Sequence, residues 1–312
     1  MTTKKRKAAK RPARKASKGK SKRAAKRAAA PAAKAAAPRS PRGAMAVAAS
    51  PKRSAEERVA AMAQASSTVC ESDENLQKLL GVLRDQAEPI QVRLAALHAL
   101  QAAAFAVASF EPCRGDYVAA LREVATDPNA ELRQRALGTL ASDKDGFAQK
   151  KLLEGLRKPE MALVPPEKAL QLLAYDAHAD AYKAAREVLA APPNPEAKRE
   201  ALRLLSADAN SAPMLEKVLL DKSEDRENRQ IAAAGLHALK PDRMQARARD
   251  ILLDAGEFAE IQSTSLTALT QFGDEEKLAD DQPLLARVDA LKGEGAAKVK
   301  QSARKFLDRY VR

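Results

Sequence analysis

The sequence predicts an all-α fold, a right-handed α-solenoid of about seven helix pairs preceded by a disordered basic tail. The 312 residues are 45% hydrophobic and 31% charged but only 3% aromatic, without tryptophan. This Ala- and Leu-rich composition is typical of packed amphipathic helices, because strands favour β-branched and aromatic residues. The charges are also unevenly divided along the chain, and one apolar pattern recurs about every 34 residues.

The first segment, residues 1–53, contains no carboxylate. It has 11 Lys and 8 Arg, whereas the remainder of the chain has 36 basic and 41 acidic residues. The segment also has five prolines and no aromatic residue. It cannot bury enough apolar surface to offset the entropy of ordering, and proline breaks long helices. We therefore predict that residues 1–53 are a disordered tail.

The stretch KKRKAAKRPARKASKGKSKRAAKR resembles the tails of linker histones and of bacterial histone-H1-like proteins. The resemblance implies sequence-independent binding of nucleic acid, and a flexible polycation gains affinity by releasing counterions from phosphates. An acidic protein surface and a purely solubilising role remain open as alternatives. The residues predicted to bind nucleic acid are Lys4, Lys5, Arg6, Lys7, Lys10, Arg11, Arg14, Lys15, Lys18, Lys20, Lys22, Arg23, Lys26 and Arg27.

Residues 54–73 are predicted to form an initial helix and a linker. Ser54 and Glu57 have the spacing of a capping box, so a helix is expected over about 55–66. The stretch SDEN at 72–75 predicts the start of the next helix, because acidic residues favour the N-terminal turn.

The third segment, residues 74–312, repeats one helical pattern seven times. The pattern ends on Leu in every copy, and a small residue precedes that Leu by four positions. Six copies also have Leu directly after the small residue, and the seventh has Arg304. Apolar residues at this spacing form one stripe of an α-helix, and the small residue allows a neighbouring helix to approach closely. The copies lie at 92–100, 132–140, 165–173, 197–205, 231–239, 261–269 and 299–307.

The final Leu advances by 34.5 residues on average, a period typical of helical solenoids. A second helix is predicted before each copy, starting with NLQKLLGVLRD at 75–85. Two helices per repeat, with VRLAALHAL in the second, resemble HEAT repeats and their bacterial HEAT-like branch. Arg93 and Arg133 match the arginine of the HEAT pattern, whereas Ala232 does not. The resemblance implies an incomplete Asp–Arg ladder.

The repeated stretch Leu-His-Ala-Leu does not predict a catalytic pair. His98 and His237 lie in the same column of the pattern, four repeats apart, and His178 falls in a predicted turn. Two dispersed cysteines, Cys70 and Cys113, offer no zinc spacing and are expected to be free thiols of a reducing compartment. The sequence thus predicts no catalytic residue, no metal site and no cofactor.

Basic side chains on the second helices could bind a partner on the concave face of the solenoid. The surface is also compatible with an ordinary solvated face, because a terminal repeat must be polar. The candidates for concave-face binding are Arg93, Arg133, Arg135, Lys198, Arg199, Arg203, Lys300 and Lys305.

These observations favour a non-enzymatic adaptor or scaffold in the cytoplasm, nucleoid-associated in a bacterium or nuclear in a eukaryote. Its solenoid would bind a protein partner while the tail binds nucleic acid, with no membrane and no small-molecule substrate. A nucleic-acid-binding role for the whole chain is the alternative. A HEAT-like lyase or DNA glycosylase is a further alternative, since the HEAT-like branch includes bilin lyases and glycosylases.

Overall fold

The computed structural model describes residues 40–311, which form α-helices and short 3-10 turns with no strand in that range. The α-helices are, in chain order, α1 (Pro41–Ala48), α2 (Ala55–Ala65), α3 (Asp73–Arg84), α4 (Ile90–Ala104), α5 (Val107–Phe110), α6 (Arg114–Val124), α7 (Ala130–Ser142), α8 (Gly146–Arg157), α9 (Pro166–Leu173), α10 (Ala179–Ala190), α11 (Pro195–Leu205), α12 (Ala212–Leu220), α13 (Arg226–Leu239), α14 (Pro241–Leu253), α15 (Ala259–Phe272), α16 (Glu275–Ala279), α17 (Gln282–Glu294) and α18 (Ala297–Tyr310).

The predicted solenoid of seven helix pairs is confirmed. In each pair the first helix packs against the second, and second helices also contact the second helices of neighbouring pairs. This nearest-neighbour packing is what a repeat architecture produces. The pairs are α3–α4, α6–α7, α8–α9, α10–α11, α12–α13, α14–α15 and α17–α18.

The core follows the columns of the sequence pattern. All seven small residues are buried, and so are the six leucines that follow them, whereas Arg304 is exposed. Five of the seven final leucines are buried, and Leu239 and Leu307 are half-buried. The buried small residues are Ala96, Ala136, Ala169, Ala201, Gly235, Ser265 and Ala303.

Buried arginines tie successive pairs together in a way that the sequence pattern predicts only in part. In Arg93, Nε donates to the carbonyl of Leu83 at 2.9 Å, and Nη2 forms an ion pair with Asp127. Arg229 repeats this arrangement with the carbonyl of Leu219 at 2.8 Å and with Glu257 at 2.6 Å. The sequence pattern aligns Ala232 with Arg93, but Arg229, three residues earlier on the same helix, makes the equivalent contacts.

A third buried arginine shows that the packed array begins before the predicted boundary. Arg58 of α2 donates to the carbonyl of Ala48 at 3.0 Å and to both carboxylate oxygens of Glu88 at 2.6 and 2.7 Å. α1 packs on α2, and α2 packs on α4. The predicted tail of residues 1–53 thus includes a helix, because Ala44, Met45 and Ala48 are buried in the core. The capping box at Ser54 is present as predicted.

The expectation of free thiols is wrong. Cys70 and Cys113 form a disulfide with a Cα–Cα distance of 6.4 Å, and no free cysteine occurs among the described residues. Cys70 lies in the 3-10 turn Ser66–Glu71 after α2, and Cys113 lies in the 3-10 turn Glu111–Cys113 before α6. Sequence spacing could not reveal this pair, because 43 residues separate the two cysteines.

No single helix within residues 40–311 is long and apolar enough to cross a membrane. The pair formed by Ile90–Ala104 and Val107–Val124 meets the length and composition required, but it is bent by 118°.

Candidate functional site

The residues predicted to bind nucleic acid, Lys4 to Arg27, lie outside the described residues. The concave-face candidates are described, and most of them are engaged within the protein. Arg93 is 4% exposed and paired with Asp127, so its predicted contact with a partner is wrong. Arg133 is half-buried and donates to backbone carbonyls.

The other concave-face candidates are more accessible. Arg135 pairs with Glu131, Lys198 with Glu224, and Arg199 and Arg203 with Glu227. Lys300 and Lys305 form no ion pair within residues 40–311. Binding of a partner by these six residues stays a prediction.

The three histidines occupy separate environments. Arg135 Nη1 lies 2.5 Å from Nε2 of His98. His237 is half-buried beside the ring of Phe272, and burial lowers its pKa below 6.5. His178 stands just before α10, with Nδ1 2.7 Å from the carbonyl oxygen of Asp176. Nowhere in residues 40–311 do three or more His, Cys, Asp or Glu side chains form a group that could hold a metal ion.

A site that the sequence did not single out lies at the connection between α8 and α9. We call residues 158–165, KPEMALVP, the proline loop. Its start is extended, because the residue before a proline avoids the helical region, and Pro159–Met161 then form a 3-10 turn. Pro166 begins α9, where the missing N–H of proline costs no hydrogen bond.

Two contacts hold the proline loop against the helices. A Cβ at Gly155 of α8 would lie 2.8 Å from Cα of Ala162, so the two backbones approach this closely only because residue 155 is glycine. On the other side, Arg133 of α7 donates from Nε to the carbonyl of Leu163 at 2.6 Å and from Nη1 to that of Asp127 at 2.7 Å. These two contacts therefore hold the proline loop in a fixed position against α7 and α8.

Between the proline loop, α7, α8 and α10 lies a cavity of about 890 Å³, which we call the proline-loop cavity. Its volume is in the range of small-molecule sites, about 300–1,000 Å³. Most of its surface is apolar. Its apolar and glycine wall residues are Ala130, Gly155, Leu156, Pro159, Ala162, Leu163, Val164, Pro165, Pro166, Ala184, Val188, Ala191 and Pro193.

Four polar side chains line the same cavity, and two of them are free to contact a ligand. The guanidinium of Arg133 already donates hydrogen bonds to backbone carbonyls. The side chain of Asn194 accepts a hydrogen bond from the backbone N–H of Ala197 and donates one to Glu167. Arg157 and Glu187 are exposed and have no hydrogen-bond or ion-pair partner within residues 40–311. The cavity thus offers apolar walls, one unpaired cation and one unpaired carboxylate.

This arrangement fits an organic molecule with an apolar body and an anionic group. Arg157 can bind the anion, and Glu187 is the only carboxylate of the cavity that can accept a proton. The sequence signal for the site was weak. Six prolines, at 159, 165, 166, 192, 193 and 195, mark the two connections that frame it, but nothing in their spacing brings Arg157 and Glu187 together.

No family model matches the chain, and no curated protein matches it. Solved structures do match. The complex of CpcE and CpcF of phycocyanin lyase from Nostoc sp. PCC7120 has 18% sequence identity and a TM-score of 0.39 over 86% of this chain and 99% of that chain. Human deoxyhypusine hydroxylase has 16% identity and a TM-score of 0.33 over 78% of this chain and 98% of that chain.

These comparisons contradict the prediction of a non-enzymatic adaptor, because one similar structure belongs to a lyase and the other is a hydroxylase. The same two structures contradict the prediction that the chain is not an enzyme, but they do not show that it is one. At these identities and TM-scores, neither likeness assigns an activity to this chain.

Proposed function

We propose that this chain is a HEAT-like protein of the lyase type, and that the proline-loop cavity is where it holds the organic group on which it acts. The observation that carries the proposal is the combination of an apolar cavity of about 890 Å³ with the unpaired Arg157 and Glu187. A largely apolar pocket with a few convergent polar groups is the usual form of a substrate site.

The chemical class of the bound group follows from the lining. Apolar walls favour a conjugated or aliphatic body, and Arg157 favours a carboxylate because a guanidinium binds carboxylates through paired hydrogen bonds. A bilin, a linear tetrapyrrole that carries carboxylates, has both features. In this proposal Glu187 takes the proton from a cysteine thiol of a second protein while the sulfur adds to a carbon–carbon double bond of the bound group. The proton then passes to the neighbouring carbon, so the whole group is transferred and nothing leaves.

Binding is tested by titrating the full chain with biliverdin and following its absorption. Ala191 lines the cavity and is exposed, whereas its exposed neighbour Ala190 does not line it. We expect Ala191→Trp to obstruct the cavity and to weaken binding strongly, and Ala190→Trp to leave binding unchanged. Arg157→Ala should weaken binding by roughly tenfold, the value of one hydrogen bond to a charged group. Equal binding by the two tryptophan variants would contradict the site.

The reaction is tested separately. The chain, biliverdin and phycocyanin lacking its bilin are incubated together, and the intact mass of phycocyanin is measured. We expect a gain of one bilin mass, which Glu187→Gln abolishes while leaving biliverdin binding intact. Binding without any transfer would keep the cavity as a ligand site and would refute the lyase proposal.

A further inference from the structure

A second cavity, of about 500 Å³, lies along the exposed face of α8, and we call it the lysine groove. Residues of α8 between Gly146 and Arg157 line it together with Lys158, His178 and Asp180. Arg157 also lines the proline-loop cavity, so the two cavities adjoin at this residue.

The lysine groove differs from the proline-loop cavity in its chemistry. Seven of its nine lining residues are polar or charged, whereas the walls of the proline-loop cavity are mostly apolar. Three of the seven are the cations Lys150, Arg157 and Lys158, and all three are exposed. None of these three side chains forms an ion pair or a hydrogen bond within residues 40–311. They are therefore available to a ligand.

The acidic residues of the groove do not balance these cations. Glu154 already pairs with Lys151 at 3.0 Å, and Lys151 does not line the groove. Asp180 is the other carboxylate, and it lies in the first turn of α10, where the helix dipole stabilises a negative charge. Three free cations thus stand against one free carboxylate, and the groove keeps an excess of positive charge.

The two lysines act on the same part of the groove. Lys150 stands four residues before Glu154 and Lys158 four residues after it, so each lies about one helical turn away. The pKa of Glu154 lies below its usual value. The hydrogen bond and charge of Lys151 lower it most, and the charges of Lys158 and Lys150 lower it further. The positive charges of both lysines therefore converge beside Glu154.

The lysine groove is placed to receive a second arm of a group bound in the proline-loop cavity. Lys158 is the first residue of the proline loop and follows Arg157 directly, with their Cα atoms about 3.8 Å apart. A lysine ammonium is a point charge on a flexible stem, which suits an anion at the end of a flexible arm. Such an arm can leave the apolar cavity beside Arg157 and reach the lysines while the apolar body stays in place.

We propose that the group held in the proline-loop cavity carries two acidic arms, one bound by Arg157 and the other by Lys150 and Lys158 in the lysine groove. This inference rests on the proposed function, because it assigns a second anion to the same bound group. It narrows the substrate class to dicarboxylates with an apolar body.

The test compares biliverdin, which has two carboxylates, with its dimethyl ester, which has none. Each is titrated into the full chain at about 0.15 M salt, where long-range charge effects are screened. The lysine variant combines Lys150→Gln with Lys158→Gln, and both side chains are exposed, so we expect its Tm to match that of the wild type. It should bind biliverdin roughly tenfold more weakly and the dimethyl ester unchanged.

A second double variant, Lys183→Gln with Lys217→Gln, is the matched control. Both lysines are exposed, line neither cavity and have no ion-pair partner within residues 40–311. The control removes the same amount of charge as the lysine variant. We expect it to bind both ligands as the wild type does.

The outcomes separate this inference from the proposed function. If biliverdin binds and Ala191→Trp prevents it, but the lysine variant binds as tightly as the control, the second arm is refuted and the proline-loop cavity stands. Equal weakening of biliverdin and its dimethyl ester by the lysine variant would also overturn the inference, because the lysines would then not recognise a carboxylate.

Two further results would count against it. Loss of inorganic phosphate binding in the lysine variant, with biliverdin binding unchanged, would make the groove a separate anion site. Failure of biliverdin to bind, or equal binding by Ala191→Trp and the wild type, would refute the proposed function and this inference with it.

Discussion

Gly235 illustrates how a single position in the repeat pattern is constrained. A Cβ at this position would lie 2.4 Å from Oγ and 2.9 Å from Cβ of Ser206. Helix propensity alone would favour alanine over glycine by about 1 kcal/mol, but the steric contact opposes it. We expect Gly235→Ala to lower the free energy of unfolding by about 1–3 kcal/mol, measured by urea unfolding.

Gly81 is the matched control for this prediction. It lies within α3, and an added Cβ would meet nothing within 4 Å. Gly81→Ala should therefore raise the free energy of unfolding by about 0.5–1 kcal/mol. Stabilisation by both substitutions would show that α13 does not pack against Ser206 as described.

Arg93 is a second residue whose role depends on burial. Its side chain and that of Asp127 are 5% and 3% exposed, so Arg93→Ala would leave a buried carboxylate without its cation. We expect a loss of about 3–5 kcal/mol in the free energy of unfolding. The half-exposed pair of Arg84 and Glu123 is the comparison, and Arg84→Ala should cost less than about 1 kcal/mol. Similar losses for the two variants would refute the buried ladder.

At the scale of elements, Glu257 links the turn before α15 to α13 and to the turn after α12. It accepts from Nη2 of Arg229 at 2.6 Å and from Nζ of Lys222 at 2.5 Å. Burial raises the pKa of Glu257, but the hydrogen bonds from Arg229 and Lys222 outweigh this, so the pKa lies below its usual 4.5. Its stabilising contribution is thus present above about pH 4.5 and is lost as the pH falls through the folded-state pKa.

We therefore expect Glu257→Gln to reduce stability at pH 7 and to flatten the decline in stability between about pH 5 and pH 3. Urea unfolding at several pH values measures both effects. Glu196→Gln, at an exposed carboxylate of α11 without an ion-pair partner among the described residues, should change neither. If stability declined as steeply between about pH 5 and pH 3 in Glu257→Gln as in the wild type, Glu257 would not be the group that links α13 to the turn before α15.

At the scale of the whole molecule, α1 and α2 form an additional pair at the start of the array. A terminal pair covers the apolar face of its neighbour, which a solenoid requires. Removing α1 would expose the core residues that now pack against Ala44, Met45 and Ala48. It would also remove the carbonyl of Ala48, to which Arg58 donates a hydrogen bond.

This role predicts a difference between two truncated chains. A chain that begins at Ser54 should have a Tm roughly 10 °C below that of a chain that begins at Ser40, since a loss of about 3–5 kcal/mol is expected to shift Tm by this amount. Circular dichroism measures the two transitions, and Met45→Ala in the longer chain should give an intermediate Tm. Identical Tm values would place the start of the packed array after residue 53.

Sequence periodicity predicted the helices better than the site. The seven second helices and their partners follow from Leu and small residues at fixed spacing, since each column depends on local helical geometry alone. The sequence pattern predicted the ladder arginine at Arg93. It missed Arg229, because Arg229 stands three residues before Ala232, the position at which the HEAT pattern has its arginine. α1 was missed because its apolar residues are mostly alanines within a strongly basic segment.

The amino-acid sequence by itself determined that the chain is a helical solenoid and how many helix pairs its main array contains, because these depend on contacts within one repeat. Only the tertiary structure decided which side chains meet across repeats. The Cys70–Cys113 disulfide, and the cavity that both Arg157 and Glu187 line, bring together residues from different elements of the fold. Their distances are set by how successive pairs stack, which no local pattern encodes.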